Sequence, residues 1–343
     1  MTAKTARRFR TAIMIMMVCV PVALGYEFID SVIDEDVEGK ISFVGLAIGI
    51  VLAMPLALLE ESSFDERMRR LPFSMSVLAK SLIYVVSLVV VFQSVGLIVG
   101  LMEGLTMEDF WASFTERGFY LQIGAGFILY VIIVFFRQLD RLFGPGVPLR
   151  YVLGRYHRPR REARIFMFLD IKSSTSLAEQ LGHETYLAFI NEFFRDISGP
   201  VLDNAGEIYE YVGDEVVLTW KEERGIKDAN CIRVFFDIDS VIEKKRQRYL
   251  DQFGVVPEYK AGVHVGEVMT AEIGDLKRGL VFNGDVLNTG ARIQGECARL
   301  GRRLLSSADL LARLTLPDGW SAEEMGSVTL RGKSEPVELV AFA

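Results

Sequence analysis

Four long apolar stretches open the chain: Thr11–Gly25, Ile41–Leu59, Met75–Leu101 and Phe119–Phe136. A helix needs about 20 residues to cross ~30 Å of hydrocarbon. The last three stretches are long enough or nearly so, and they predict spanning helices. The first is shorter. Arg7, Arg8 and Arg10 ahead of it and Ala23-Leu24-Gly25 at its end also fit a signal peptide. The apolar continuation Tyr26-Glu27-Phe28-Ile29 favours an uncleaved helix, so the expectation is a helical transmembrane bundle of about four spans.

Charge between the stretches sets their orientation. Lys4, Arg7, Arg8 and Arg10 precede the first span, Arg67, Arg69 and Arg70 follow the second, and a run from Arg137 to Arg164 follows the fourth. The other two loops are acidic, with Asp30, Asp34, Glu35, Asp36 and Glu38, then Glu103, Glu108, Asp109 and Glu116. Basic loops stay cytoplasmic. The expected location is the cell membrane, multi-pass, with the C-terminal half in the cytoplasm whether or not the first segment is cleaved. The spans carry few polar residues, chiefly Lys80 and Gln93, and Lys80 is expected to snorkel to the cytoplasmic interface. Anchor and dimer contact is the plain expectation for this half, with a sensor of membrane state or of an external ligand as the alternative; transport lacks the intramembrane charge it needs.

Gly144-Pro145-Gly146-Val147-Pro148 ends the last apolar helix. Residues 1–143 are therefore read as the membrane unit and 144–163 as a basic linker, lying against anionic headgroups or coupling helix movement to residues 164–343.

From Ile165 the pattern changes. Ile165–Asp170 reads as a buried strand, and Thr175–Leu181 and Glu184–Ala205 as helices. Gly206–Tyr211 and Val216–Trp220 form a hairpin with Gly213-Asp214 at the turn. Asp228–Phe253 reads as one helix, Glu258–His264 and Gly266–Ile273 as two strands, Leu287–Leu300 as a helix, and Val328–Ala343 as closing strand. Strands and helices mixed in this order predict an α+β sandwich.

Asp170 and Asp214 each stand at the exit of an apolar run. Two such carboxylates can hold a pair of hard divalent cations, a usual device for moving a phosphoryl group. Glu215 beside Asp214 is expected to face solvent, because adjacent strand residues face opposite ways. His264 is expected to be a packed strand residue rather than a metal ligand.

A series of segments in fixed order then resembles one family, the class III nucleotidyl cyclases. Phe168-Leu169-Asp170-Ile171 is similar to the family's first metal-binding strand, and Tyr211-Val212-Gly213-Asp214 to its Gly-Asp turn. Ala261–Gly266 resembles its Gly-x-His-x-Gly strand. The segment Gly284–Arg292 resembles Gly-Asp-x-x-Asn-x-x-x-Arg, and Leu330-Arg331-Gly332-Lys333 the closing phosphate-binding strand. The resemblance covers residues 164–343 and none of the membrane half.

The resemblance implies a ferredoxin-like sandwich, with helices on a mostly antiparallel sheet. It implies that a nucleoside triphosphate is cyclised with loss of pyrophosphate, using two Mg²⁺ or Mn²⁺ per site. Asp170, Asp214 and the Ile171 carbonyl would hold the metals, and Ser173, Ser174, Thr175 and Lys333 the phosphates. Asn288 would orient the ribose and Arg292 would stabilise charge on the α-phosphate. In the family, the aspartates come from one subunit and the Asn and Arg from the other, which implies a homodimer. Many relatives carry Gly-Phe-Thr where this chain has Ser173-Ser174-Thr175.

The base-selecting positions are Glu210 and Val281. Glutamate at the first resembles guanylyl enzymes, while Val281 fits neither purine's usual pattern. The expected substrate is ATP, with GTP, or a nucleotide-binding module without turnover, as the alternatives.

Composition adds limits. The chain has 343 residues, half of them hydrophobic, and a net charge of −7, which gives no reason to expect a nucleic-acid partner. Cys19, Cys231 and Cys297 have neither metal-ligand spacing nor the look of a disulfide framework.

Overall fold

The computed structural model describes residues 71–103, 106, 108, 117–143, 154, 156, 158–275, 279–329 and 336–342. The expected spans Thr11–Gly25 and Ile41–Leu59, most of the linker, and Lys333 lie outside the described residues. The chain divides after Phe143 into two compact units.

In the first unit, α1 (Phe73–Glu103) and α2 (Arg117–Phe143) cover the third and fourth apolar stretches. They pack together through Tyr84 and Tyr130, whose ring centroids lie 5.6 Å apart. Leu78, Leu82, Val86 and Val90, spaced by four, make an exposed apolar stripe along α1. Among the described residues no helix qualifies as long and apolar enough to cross a membrane. Helix α1 runs 31 residues, and from Ile83 to Gly100 it carries no Asp, Glu, Lys or Arg. Lys80 departs from expectation. It is buried, as are Ser76, Ser81 and Tyr84.

The second unit is built on a sheet in the order β2-β3-β1-β4-β6-β8-β7, with β5 paired to β4. Its strands are β1 (Arg160–Ile171), β2 (Glu207–Val212), β3 (Glu215–Lys221), β4 (Tyr259–Ile273), β5 (Gly279–Asn283), β6 (Leu304–Ser307), β7 (Ala322–Val328) and β8 (Val337–Phe342). All pairings are antiparallel except β4 with β6. The helices that matter here are α3 (Ser174–Leu181), α4 (His183–Asp203), α5 (Glu222–Ile226), α6 (Asn230–Lys244), α7 (Arg246–Phe253) and α8 (Asp285–Leu300).

Strand β1 is central, flanked by β3 and β4, and covered on both faces. That is why it reads as an unbroken apolar run rather than an alternation. Ile165, Met167, Leu169 and Ile171 join the core under α4 and α6, while Phe166 and Phe168 join Val268, Phe282 and Val286 on the opposite face. The strand starts earlier than expected. Arg160–Ala163 are not linker but pair with β4, and Arg164 is fully buried. Its guanidinium bonds Glu162 at 2.8 Å and Glu207 at 3.3 Å, and lies over the Phe282 ring.

Other boundaries differ from the sequence reading as well; the closing strand, expected over Val328–Ala343, is Val337–Phe342. The expected helix Asp228–Phe253 breaks at Lys245, whose ammonium pairs with the buried Asp196 carboxylate on α4. Tyr249 donates to the same carboxylate at 2.9 Å, so the break folds α7 back against α4. The two strands expected around Gly266 form a single strand, β4. A Cβ at Gly266 would meet Val286 at 3.1 Å, so glycine here admits α8 and does not interrupt the strand.

Candidate active site

Asp170 leaves the end of β1 beside Lys260 of β4 and opposite Glu215 of β3. Asp214 enters from the β2–β3 turn, where Gly213 adopts a φ of 66° that suits glycine. The Asp170 and Asp214 carboxyls lie close enough to share a hydrogen bond. Burial raises the Asp170 carboxyl above its ordinary range, and contact with Asp214 raises it further. Lys260, 3.5 Å from Asp170 Oδ2, opposes the shift, as does Gln294 Nε2, which donates to the same oxygen at 2.8 Å.

The donor set is two neighbouring carboxylates at a strand end, with Ile171 next to Asp170 in the chain. Like charges this close favour a proton or a cation between them, and hard oxygen ligands suit Mg²⁺ or Mn²⁺. The residues therefore fit divalent metal. Among the described residues no three metal-binding side chains converge on one point.

Glu215 corrects the expectation that it faces solvent. Asp214 sits in the turn, so strand alternation does not apply between them, and Glu215 pairs in register with Asp170. Its carboxyl is pushed up to about 7 by burial, then by the charges of Asp170 and Asp214. A carboxyl raised on folding binds its proton more tightly in the native state. Its contribution to stability is full below its ordinary value near 4.5 and is lost as pH rises through about 7. In EDTA, the melting temperature is expected to fall between pH 5 and pH 8. Glu215→Gln should flatten part of that fall, and saturating Mg²⁺ should do the same for the parent. A parent melting temperature that rises across this window contradicts the assignment.

Lys172-Ser173-Ser174-Thr175 leads from β1 into α3. Ser173 takes a left-handed conformation, φ 56°, which costs a non-glycine residue about 1–2 kcal/mol. The first N–H groups of α3 have no partner within their own helix, and a helix start of this kind suits phosphate. The segment lines a cavity of about 590 Å³ together with Asp170, Lys260 and Arg302. Tyr186 of α4 lies near Ser174. Burial, then the charge of Asp214, pushes its phenol up.

Asn288 and Arg292 are not brought to this cavity. The face of α8 packed on the sheet carries Val286, Thr289, Gly290, Ile293, Gln294 and Cys297. At 3.6 residues per turn, Arg292 lies about 160° and Asn288 about 120° round the helix from Gln294. The two share the outer face of α8, Asn288 exposed and Arg292 half-buried. Glu210 is exposed on β2 and Val281 half-buried on β5. Their neighbours Tyr209 and Phe282 meet with ring centroids 4.9 Å apart. His264 is packed as expected, its Nδ1 2.8 Å from Ser307 Oγ.

Sequence reading missed Lys260, Gln294 and Tyr186. Lys260 could have been found by pairing β1 with β4, which sets it opposite Asp170. The other two approach through helix packing, which leaves no local signal.

Residues 157–341, more than half of the chain, match the family model described as the adenylate and guanylate cyclase catalytic domain. The chain belongs to this family. Over 210 residues it is 39% identical to "Adenylate cyclase 2" of Rhizobium meliloti (strain 1021), covering 61% of this chain and 58% of that protein. It is 23% identical over 179 residues to "Adenylate cyclase" of Anabaena cylindrica, covering 50% of this chain and 35% of that one. The chain thus spans about three fifths and about a third of these two relatives. A solved bacterial light-regulated adenylyl cyclase shares the fold of the cyclase domain, with TM-score 0.54 and 20% identity over 64% of this chain and 62% of that one.

Proposed function

We propose that the chain is a membrane-anchored, homodimeric adenylate cyclase that converts ATP to 3′,5′-cyclic AMP and pyrophosphate. The observation that carries this reading is the closeness of Asp170 to Asp214, with Asp170 lining one cavity with Ser173–Thr175, while Asn288 and Arg292 lie on the outer face of α8. One chain offers half of a cyclising site on each surface, and a second copy completes both.

Asp170, Asp214 and the Ile171 carbonyl would hold two Mg²⁺ or Mn²⁺. Bound there, the ions would activate the ribose 3′-hydroxyl and neutralise the phosphates. The N–H groups at Ser173–Thr175 cradle the outer phosphates, and Lys260 adds positive charge from β4. Lys333 serves the same end. Arg292 from the second copy stabilises charge growing on the α-phosphate, and Asn288 orients the ribose.

ATP is favoured because the 39% identical relative is named an adenylate cyclase. Glu210 supports the alternative of GTP, since a carboxylate can accept from the guanine N1–H and N2–H donors. Anchoring rests on the 31-residue α1 and its exposed stripe of Leu78, Leu82, Val86 and Val90. An apolar stripe of this kind suits lipid better than water. The basic and acidic loops set the catalytic half in the cytoplasm.

The test is the full-length protein in membranes with Mn²⁺ and ATP or GTP, products resolved by chromatography. Cyclic AMP with pyrophosphate is expected, and faster cyclic GMP formation would favour the alternative. No cyclic product from either nucleotide, in a demonstrated dimer, would leave a binding module.

A further inference from the structure

Gln294 is a buried polar side chain on α8, and a buried amide needs a partner. Its partner is the Asp170 carboxylate: Nε2 donates to Oδ2 at 2.8 Å. The Lys260 ammonium approaches the same oxygen at 3.5 Å from the neighbouring strand. Two donors on one oxygen restrict rotation of the carboxylate. A hydrogen bond to a charged group is among the stronger kinds.

The backbone is arranged to permit the contact. A Cβ at Gly262, on β4 opposite Phe168, would stand 2.2 Å from Gln294 N and 2.7 Å from Gly290 O. A Cβ at Gly290 would stand 2.9 Å from the Phe168 ring. The two glycines lower α8 onto β1 and β4 until a side chain of glutamine's length reaches the strand end. An amide is the suitable group there. It donates to Asp170 without adding a further negative charge to Asp170, Asp214 and Glu215.

We propose that Gln294 is a positioning residue for the Asp170 carboxylate, holding it in the rotation that a divalent cation requires and so setting the affinity for metal. This rests on the function proposed above. Partners behind a metal ligand typically change metal affinity 10–100-fold.

The test uses full-length protein purified in detergent, with Mn²⁺ alone as the probe and free Mn²⁺ read by electron paramagnetic resonance. Gln294→Met keeps the volume and lacks the donor; Gln294→Ala keeps the helix and lacks the donor. Both are expected to bind Mn²⁺ about tenfold or more weakly, with melting in EDTA showing that they fold. At saturating Mn²⁺ the KM for ATP should return close to the parent's, with kcat reduced less than the Mn²⁺ affinity. Parental affinity in a folded variant overturns the proposal. Failure of both variants to fold overturns it too, since the contact would then belong to the scaffold. If the parent binds no Mn²⁺ and cyclises nothing, the proposed function itself fails; if the parent does both and the variants match it, only this inference fails.

Discussion

Mixing Arg292→Ala and Asp214→Ala subunits, each nearly inactive alone, is expected to restore cyclase activity. Removing one preorganised donor that stabilises transition-state charge costs ~3 kcal/mol, about a hundredfold or more in rate. Removing Asp214 should cost at least as much, because it leaves Asp170 without the second carboxylate of the pair. The two lesions lie on separate surfaces of the chain. Asp214 belongs to the β2–β3 turn, and Arg292 to the face of α8 turned away from the sheet. In a two-fold dimer with sites at the interface, a hybrid places both lesions in one site and neither in the other. Random reassortment makes half the dimers hybrid, so recovery should approach about a quarter of parental activity. A hybrid confirmed by differential tags that stays inactive would show that one chain supplies the whole site.

Gly262→Val is expected to produce the largest loss of stability. Even a methyl group at Gly262 would stand 2.2 Å from Gln294 N and 2.6 Å from its Cα. Those are backbone atoms inside a helix, with no flexible end to move aside. Overpacking a core typically costs 1–3 kcal/mol, and this case belongs at or above ~3. The displaced element is α8, which carries Gln294 on its packed face and Asn288 and Arg292 on its outer one. A variant that still folds should therefore lose metal affinity and turnover together. Gly295→Ala is the matched control: a Cβ there meets nothing within 4 Å, and alanine should stabilise the helix by ~0.5–1 kcal/mol. Thermal melting of both variants checks the pair. A Gly262→Val protein that melts with the parent would show that α8 does not rest on β4.

The parts of the site that could be read from sequence are those that each element advertises locally. A doubly buried strand announces itself as an apolar run, so Phe166–Leu169 pointed to Asp170. A glycine-aspartate turn between apolar runs pointed to Asp214. Glu215 was misplaced because strand alternation was applied across a turn. Gln294 and Tyr186 were invisible because their roles depend on how a helix seats on a sheet, here set by glycines at 262 and 290. The strands missed are short or polar. β6 has four residues, and β7, Ala322–Val328, is an edge strand with a bulge between Glu324 and Gly326. The break at Lys245 has no glycine or proline to mark it; it follows from the buried charge of Asp196 on another helix.

The most direct measurement is a crystal structure of the protein with Mn²⁺ and a non-cyclising ATP analogue, using the anomalous signal of manganese. Manganese is expected about 2.1 Å from carboxylate oxygens of both Asp170 and Asp214, with the triphosphate over Ser173–Thr175. Asn288 and Arg292 are expected to reach that nucleotide from the opposing copy. Manganese bound elsewhere, or a nucleotide contacted by Asp170 and Arg292 of the same chain, would contradict this arrangement.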